Sequence, residues 1–485
     1  MTALFTVCSH LGLIAMVMSL SHLLPLGVSV YYNDGTTSAF SFSMALNCAA
    51  GYLMWTLTKH TRRDLTARDG ILLVVLAWCG GAAFATLPLL LLIPGLSFTD
   101  AYFETVSGLT TSGATVLSNL DTLAPSINFW RCLLVWFGGM GLIVLAVAIL
   151  PLLGVGGRQI FKAETPGPMK DAKLTPRITE TAKGLWVVYA LISAACVVAY
   201  WLAGMSWFDA VVHMFSTMGL GGFSSHDASF GHWNSPAIEA VAIVFMLIAS
   251  LSFGTHFLAL RARSLASYRT DPEAGWCLGV IFVSCIGIAL YLLAMDVYPD
   301  FMTALRYASF NVVSIASTTG YASTDYNLWP IFAPMWMLFL CSFVSCSGST
   351  GGGIKMIRAQ LLYKQVYREF IKLLHPSSVT PLKLGGQIIE NKVIFSVLAF
   401  LFIYIACIVT LTLAMMASGL DEVTSFSAVV ASINNTGPGL NKVGPATTFE
   451  VLSDFQTWIC TFAMLIGRLE LFTVLIVFTP VFWRK

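Results

Sequence analysis

Four short polar loops, each centred on glycine and set between long apolar stretches, constrain this chain more than any other feature. The first reads Ser107-Gly108-Leu109-Thr110-Thr111-Ser112-Gly113-Ala114-Thr115, and the third reads Ser314-Ile315-Ala316-Ser317-Thr318-Thr319-Gly320-Tyr321. Aligned on Gly113 and Gly320, both carry Ser six places back and Phe ten places back (Phe103, Phe310). Two weaker copies follow the same plan. Ser216-Thr217-Met218-Gly219-Leu220-Gly221-Gly222-Phe223 keeps the Ser, whereas Asn434-Asn435-Thr436-Gly437-Pro438-Gly439 keeps only the Gly and polar neighbours. The candidate glycines stand 109, 98 and 117 residues apart, which is the mark of a fourfold internal repeat.

The chain around these loops is 57% hydrophobic and only 10% charged over 485 residues, so most of it belongs in lipid. Extended polar backbone at membrane depth is tolerated where protein buries it or where it lines a water-filled path. Glycine lets successive carbonyl oxygens face one way, and four copies around an axis would give rings of oxygens able to replace the hydration shell of an alkali cation. The competing reading is a set of Gly/Ser/Thr packing patches between helices. Four such patches, each after a short amphipathic segment and before a long apolar one, favour the path.

Apolar spans are expected at 3–32, 38–58, 70–93, 127–153, 184–205, 236–260, 275–296, 331–345 with a continuation, 392–418 and 455–482, ten crossings in all. No cleavable signal is expected ahead of the first span. Of the 26 basic residues, 22 fall on one side of this arrangement, including Arg62, Arg63, the cluster from Arg158 to Lys183, and Lys355 to Lys392. Arg131, Arg306 and Lys442 fall on the other side, and Arg468 within the last span. By the positive-inside rule both termini are cytoplasmic. The short segments begin near Asp100, Asp209, Asp300 and Asp421, acids that suit helix N-termini. Their C-terminal ends would point to the membrane centre, where the dipole favours a cation. Outer loops carry further acids, among them Asp121, Asp227 and Asp325, which would gather cations at a mouth.

The expected fold is therefore an all-α polytopic membrane protein. It comprises an accessory hairpin at 1–67 and four pseudo-symmetric span–pore-loop–span repeats at 68–158, 159–270, 271–385 and 386–485. Eleven Cys without regular spacing indicate neither disulfides nor a thiolate metal site. His10, His22, His213 and His256 are scattered singly, and Glu470 is the one acid expected inside a span, so no enzyme site converges. All four repeats run in the same sense, unlike the inverted repeats of many secondary transporters.

With these loops in place the chain resembles the membrane subunit of the bacterial Trk potassium-uptake system, within the Trk, Ktr and plant high-affinity potassium transporter superfamily. The motifs are the four Gly loops, the stretch from Gly348 to Lys355, and Gly467-Arg468-Leu469-Glu470, and the likeness covers essentially the whole chain. It implies potassium uptake across the bacterial inner membrane by a homodimer, with no nucleic acid partner and no cofactor on this chain. ATP or NAD would bind a cytosolic regulatory ring that controls opening. The implied filter is Thr110, Thr111, Ser112, Gly113, Leu220, Gly221, Gly222, Ser317, Thr318, Thr319, Gly320, Asn434, Asn435, Thr436 and Gly437. In relatives, Ser in place of the first filter glycine accompanies sodium selectivity; Gly113 stands here, so potassium is the expected ion. A sodium- or proton-coupled potassium symporter of the same fold is the alternative.

Two further sites stand out. Ser347, Gly348, Ser349, Thr350, Gly351, Gly352 and Gly353 cannot continue a helix at that depth without penalty, and the resemblance makes them, with Lys355, a gate loop beneath the filter. Ile354 between Gly353 and Lys355, and the lack of a strand-loop-helix context, exclude a Walker A loop. The alternative for this stretch is a tight helix contact. Lys355, Arg358, Lys364 and Arg368 are expected along an amphipathic cytoplasmic helix after it. Arg468, near the middle of the last span, is expected either to raise a positive barrier below the filter or to hold a neighbouring helix by an ion pair. Glu470, two residues on, lies on another helix face. Gly154-Val155-Gly156-Gly157 is read as a helix exit.

Overall fold

A computed structural model describes residues 2–59, 65–141 and 178–484 of the chain. The tail of the expected fourth span, the helix exit at Gly154–Gly157, and Arg62, Arg63 and the basic residues from Arg158 to Arg177 lie outside the described residues. Elsewhere the molecule is helical, apart from a ribbon pairing Lys383–Leu384 with Gln387–Ile388.

Among the described residues, five helices are long and apolar enough to cross a membrane: Leu4–Tyr32, Arg68–Leu92, Ala182–Leu202, Ala274–Ala294 and Asn391–Ala417. Their apolar surface is only partly covered by protein, and residues such as Phe282, Val283, Phe395 and Phe402 face outward, as lipid contact demands. Thr37–Thr58 forms the second arm of the N-terminal hairpin, where Gly12 and Gly51 pack so closely that each Cβ position lies within 2.7 Å of the other's carbonyl oxygen. Asp34 ties this hairpin to the first repeat by accepting from the Ser126 N–H at 3.1 Å.

Two expected crossings are not single helices. The stretch expected at 236–260 is Pro236–Ser250 followed by Phe253–Ala262, bent by 94°. The stretch expected at 455–482 is Asp454–Arg468 followed by Leu471–Phe478, bent by 114°. Hydropathy runs unbroken through Leu251-Ser252 at the first bend, whereas the second falls at Arg468-Leu469-Glu470, where two charged residues interrupt the apolar run. In the third repeat Phe332–Cys341 stops after ten residues, and the chain resumes as a helix only at Met356. In the first, Pro125–Gly139 ends at a glycine pair. The second helix of every repeat thus ends after 10 to 15 residues.

Before each of those helices comes a short re-entrant one: Phe98–Leu109, Trp207–Gly219, Phe301–Ala316 and Glu422–Ile433. Their starts are capped by side chains. Ser97 and Ser206 accept from the N–H of Asp100 and Asp209, while Asp300 and Asp421 accept from Thr303 and Thr424. The four acids read from sequence therefore occupy either the cap or the third helical position, where negative charge meets the positive end of the dipole. The last turns are fully buried, so each helix delivers its C-terminal carbonyls into the centre of the molecule.

Candidate functional site

Each re-entrant helix ends in the same way. The N–H of the residue before the loop glycine closes back on a carbonyl five residues earlier: Ser112 to Ser107 at 2.8 Å, Gly221 to Ser216 at 3.0 Å, Thr319 to Ser314 at 2.8 Å, Thr436 to Ala431 at 2.9 Å. This closure turns the residue two before the glycine left-handed. Thr111, Leu220, Thr318 and Asn435 have φ of 58°, 54°, 63° and 53°. Left-handed backbone costs a non-glycine residue about 1–3 kcal/mol, and four such residues in register mark a conformation held by its surroundings. The weak fourth copy is thus a full structural member; Asn435 in place of Thr keeps the backbone while changing the side chain. Gly113, Gly320 and Gly437 are left-handed as well, and Gly222 alone is not.

The loops meet as a closed ring. A Cβ on Gly113 would lie 2.2 Å from Gly222 N, on Gly222 2.7 Å from Gly320 O, on Gly320 2.0 Å from Thr436 O, and on Gly437 2.8 Å from Ser112 O. Each glycine makes room for the backbone of the next loop, and the fourth returns to the first. Hydroxyl pairs brace two loops from within: Thr110 with Ser112 at 3.0 Å, and Ser317 with Thr319 at 2.7 Å. Asn435 Nδ2 donates to Ser112 Oγ at 2.9 Å across the junction of loops four and one. Apart from Gly113, Thr115, Gly222, Gly320 and Pro438, the named loop residues have little or no exposed surface.

The ring separates two cavities. The outer one, about 310 Å³, is lined by Gly113, Gly222, Gly320 and Pro438 and by the loops beyond them. The inner one, about 150 Å³, is lined by Gly351, Gly352, Lys355, Ile433, Gly467 and Arg468.

Between ring and inner cavity sits the Ser345–Lys355 stretch. Gly352 N donates to Thr318 Oγ1 at 3.0 Å, and a Cβ on Gly352 would lie 2.0 Å from Asn434 O, so the loop presses directly on the underside of loops three and four. Thr350 Oγ1 donates to Met218 O of the second re-entrant helix at 3.0 Å. The loop also plugs the bend of the second repeat, with Cys346 N on Ser250 O at 3.1 Å and Phe253 N on Gly348 O at 3.0 Å. Its two ends are clamped by one buried carboxylate. Glu273 accepts from the N–H of Ser347 at 2.8 Å and of Ile357 at 3.0 Å.

Arg468 is not mid-span, as expected, but the last residue of its helix, beside the reversal at Glu470, whose φ is 62°. Its guanidinium donates to Thr350 O of the intramembrane loop at 2.8 Å and to the carbonyls of Gly138 and Gly139, the latter at 3.1 Å. It therefore links three repeats. Glu470 pairs with Arg358 at 2.6 Å. Lys355 and Arg358 are buried and serve the loop rather than a solvated helix face; Lys355 Nζ donates to Gly351 O. Lys364 and Arg368 do lie along the amphipathic Met356–Leu374 helix.

Three features were not read from the sequence. Arg131, placed with the outer loops, is fully buried and pairs with Glu104 at 2.7 Å, while also reaching Ser224 O at 3.3 Å. Glu104 in turn holds Thr115 and Val116, fixing the chain as it leaves loop one. Glu470 is accordingly not the only buried acid. Nor do the histidines lie singly: His213, His226 and His232 gather in the second repeat. Burial alone would depress the His226 pKa, but Asp209 and Asp121 beside it outweigh that and hold it above the ordinary histidine value. All eleven cysteines are free thiols.

The sequence matches the family model described as "TrkH: Cation transport protein" over residues 36–485. It is 45% identical over 483 residues to the Trk system potassium uptake protein TrkH of Halomonas elongata, covering 98% of each chain. Identity to the TrkH of Escherichia coli K12 is 43% over 475 residues, again covering 98% of each. The crystal structure of the potassium transporter TrkH from Vibrio parahaemolyticus superposes with a TM-score of 0.89 at 41% identity, covering 99% of this chain and 100% of that one.

Proposed function

The chain belongs to the TrkH family of cation transport proteins, so it is a membrane transporter and not an enzyme, and from that premise we propose that it takes up potassium through the ring of four loops. The carrying observation is the closed interlock of Gly113, Gly222, Gly320 and Gly437, which brings four helix C-termini and their loop carbonyls around one axis. Carbonyl oxygens and helix dipole ends stabilise a dehydrated monovalent cation without a formal negative charge. Thr110, Thr111, Ser112, Gly113, Leu220, Gly221, Gly222, Ser317, Thr318, Thr319, Gly320, Asn434, Asn435, Thr436 and Gly437 form this filter. Family relatives carry the name of a potassium uptake system, which supports the choice of ion.

The Ser347–Lys355 loop is the gate. It lies between the ring and the inner cavity, Arg468 holds it from the side, and Glu273 holds both its ends. Passage requires these contacts to exchange, and a cytosolic nucleotide-binding ring of the Trk system supplies the free energy that moves them. The functional unit is a homodimer in the bacterial inner membrane with both termini cytoplasmic.

The test is cation flux into liposomes containing the purified chain, potassium against sodium, with and without an imposed proton gradient. Potassium flux exceeding sodium flux, and indifferent to the proton gradient, is the expected result. Equal fluxes would overturn the filter assignment, and strict dependence on a second ion gradient would replace passive flow with coupling.

A further inference from the structure

Asp121 lies on the chain leaving the first Gly loop, and His226 and His232 lie on the chain leaving the second. Their ligand-capable atoms all fall within 4.8 Å of one another. His226 Nδ1 is in close contact with Asp121 Oδ1, and His232 Nδ1 is 4.0 Å from the same oxygen. The two imidazoles stack with centroids 3.6 Å apart. Behind them, Asp209 Oδ1 lies 3.4 Å from His226 Nε2. The hydroxyls of Ser206 and Ser225 donate to the Asp209 carboxylate at 2.7 and 3.0 Å, which fixes it in place.

A carboxylate facing Nε2 favours the proton on that nitrogen and turns the Nδ1 lone pair toward Asp121. In the metal-free state a proton serves that contact as a hydrogen bond, and a bound metal ion would take its place. Two imidazoles and a carboxylate, with a second carboxylate orienting one ring, form a donor set suited to zinc and its neighbours. Alkali cations prefer oxygen throughout, so this cluster is not a station for the transported ion.

We propose that Asp121, His226 and His232 bind a divalent transition-metal ion of the zinc class at the outer edge of the pore mouth, with Asp209 positioning His226. Bonds of about 2.0–2.1 Å to a tetrahedral zinc ion set its ligand atoms roughly 3.3 Å apart, so His226 Nδ1 and Asp121 part on binding while His232, 43% exposed, turns inward to close the site. His226 lines the outer cavity above Gly113, Gly222 and Gly320, which gives the metal its entry path. An occupied site adds two positive charges beside that cavity and ties the outer loop of repeat one to that of repeat two. Both effects oppose cation entry, so the site is inhibitory; this consequence, though not the binding itself, rests on the proposed transport function.

The experiment titrates Co²⁺ into the purified full chain, follows its visible d–d absorption, and then competes with Zn²⁺. In parallel, Zn²⁺ is added outside the potassium-loaded liposomes. One Co²⁺ per chain, displaced by one Zn²⁺, is expected, with at least a tenfold weaker affinity in His226→Ala and in His232→Ala. His375→Ala, an exposed histidine far along the chain, should bind as the parent does. External Zn²⁺ should slow flux in the parent and lose that effect in both cluster variants. Absence of d–d bands, or unchanged affinity in both variants, overturns the site and leaves His226 as an imidazolium between two carboxylates. Metal binding without any cation flux would instead sink the transport reading while this site stood.

Discussion

At the scale of single residues, the ring makes sharp demands. Gly113 lacks room for any side chain, since a Cβ would meet Gly222 N at 2.2 Å, and its φ of 79° disfavours one independently. Gly113→Ala is therefore expected to displace loop two and reduce the potassium-to-sodium permeability ratio several-fold, read from reversal potentials; an unchanged ratio in normally expressed protein would remove Gly113 from the filter. Arg468 gives a second case. Hydrogen bonds to a charged donor contribute about 1.5–3 kcal/mol each, and Arg468 makes them to both the intramembrane loop and the first repeat. Losing about 1.4 kcal/mol of that anchoring shifts an equilibrium tenfold, so Arg468→Ala should raise basal potassium flux per folded protein about that much, with a lower Tm. Arg468→Lys keeps the charge but not the fork of donors and should fall between. Flux that is unchanged or reduced in the Ala variant would show that Arg468 serves the fold alone. The chemistry of these residues is legible in the sequence, but their partners are not. Arg468 reads as mid-span by counting along an apolar run, and only the bend after it reveals a helix end. Arg131 and Glu104 are 27 positions apart with nothing in the sequence to join them.

At the scale of elements, the second helix is cut short by a sharp bend in the second and fourth repeats. The third repeat uses a whole loop, and that loop is secured at both ends by the Glu273 carboxylate. Both N–H groups meet the same oxygen, Oε2, so Glu273→Gln keeps them an acceptor only where the amide oxygen takes that place, and it removes the charge that strengthens both bonds. Glu273→Gln should thus raise basal flux severalfold, and Glu273→Ala more so, with the increase checked in liposomes against the parent. Equal flux in all three proteins would mean that the loop ends do not govern passage. The repeats themselves are legible because an acid, polar residues and a glycine recur in the same order four times. The fourth was faint, since Asn434 and Asn435 replace the Ser and Thr of its sisters while the backbone stays left-handed at Asn435. The breaks were legible only where composition changed. Gly348–Gly353 announces one and the charges of Arg468 and Glu470 mark another, whereas Leu251-Ser252 sits in a run that remains apolar on both sides.

For the whole molecule, orientation follows from where basic residues accumulate. The exposed Ser38, at the turn of the N-terminal hairpin, and the exposed Ser377, after the amphipathic helix, should lie on opposite sides of the membrane. With the eleven natural cysteines replaced, Ser38→Cys should react with a membrane-impermeant thiol reagent in intact cells, and Ser377→Cys only after permeabilisation. The reverse pattern would invert the assigned topology. The interlock of the four loops carries a further consequence, for how such a molecule can change. The atoms nearest each loop glycine's Cβ position belong to the next loop: Gly222 for Gly113, Gly320 for Gly222, Thr436 for Gly320, Ser112 for Gly437. Substitutions at neighbouring positions should therefore be strongly epistatic, whereas those at opposite positions, such as Gly113 and Gly320, should combine nearly additively. A lineage altering its ion preference would have to move around the circle in order, each accepted change setting the terms for the loop beside it.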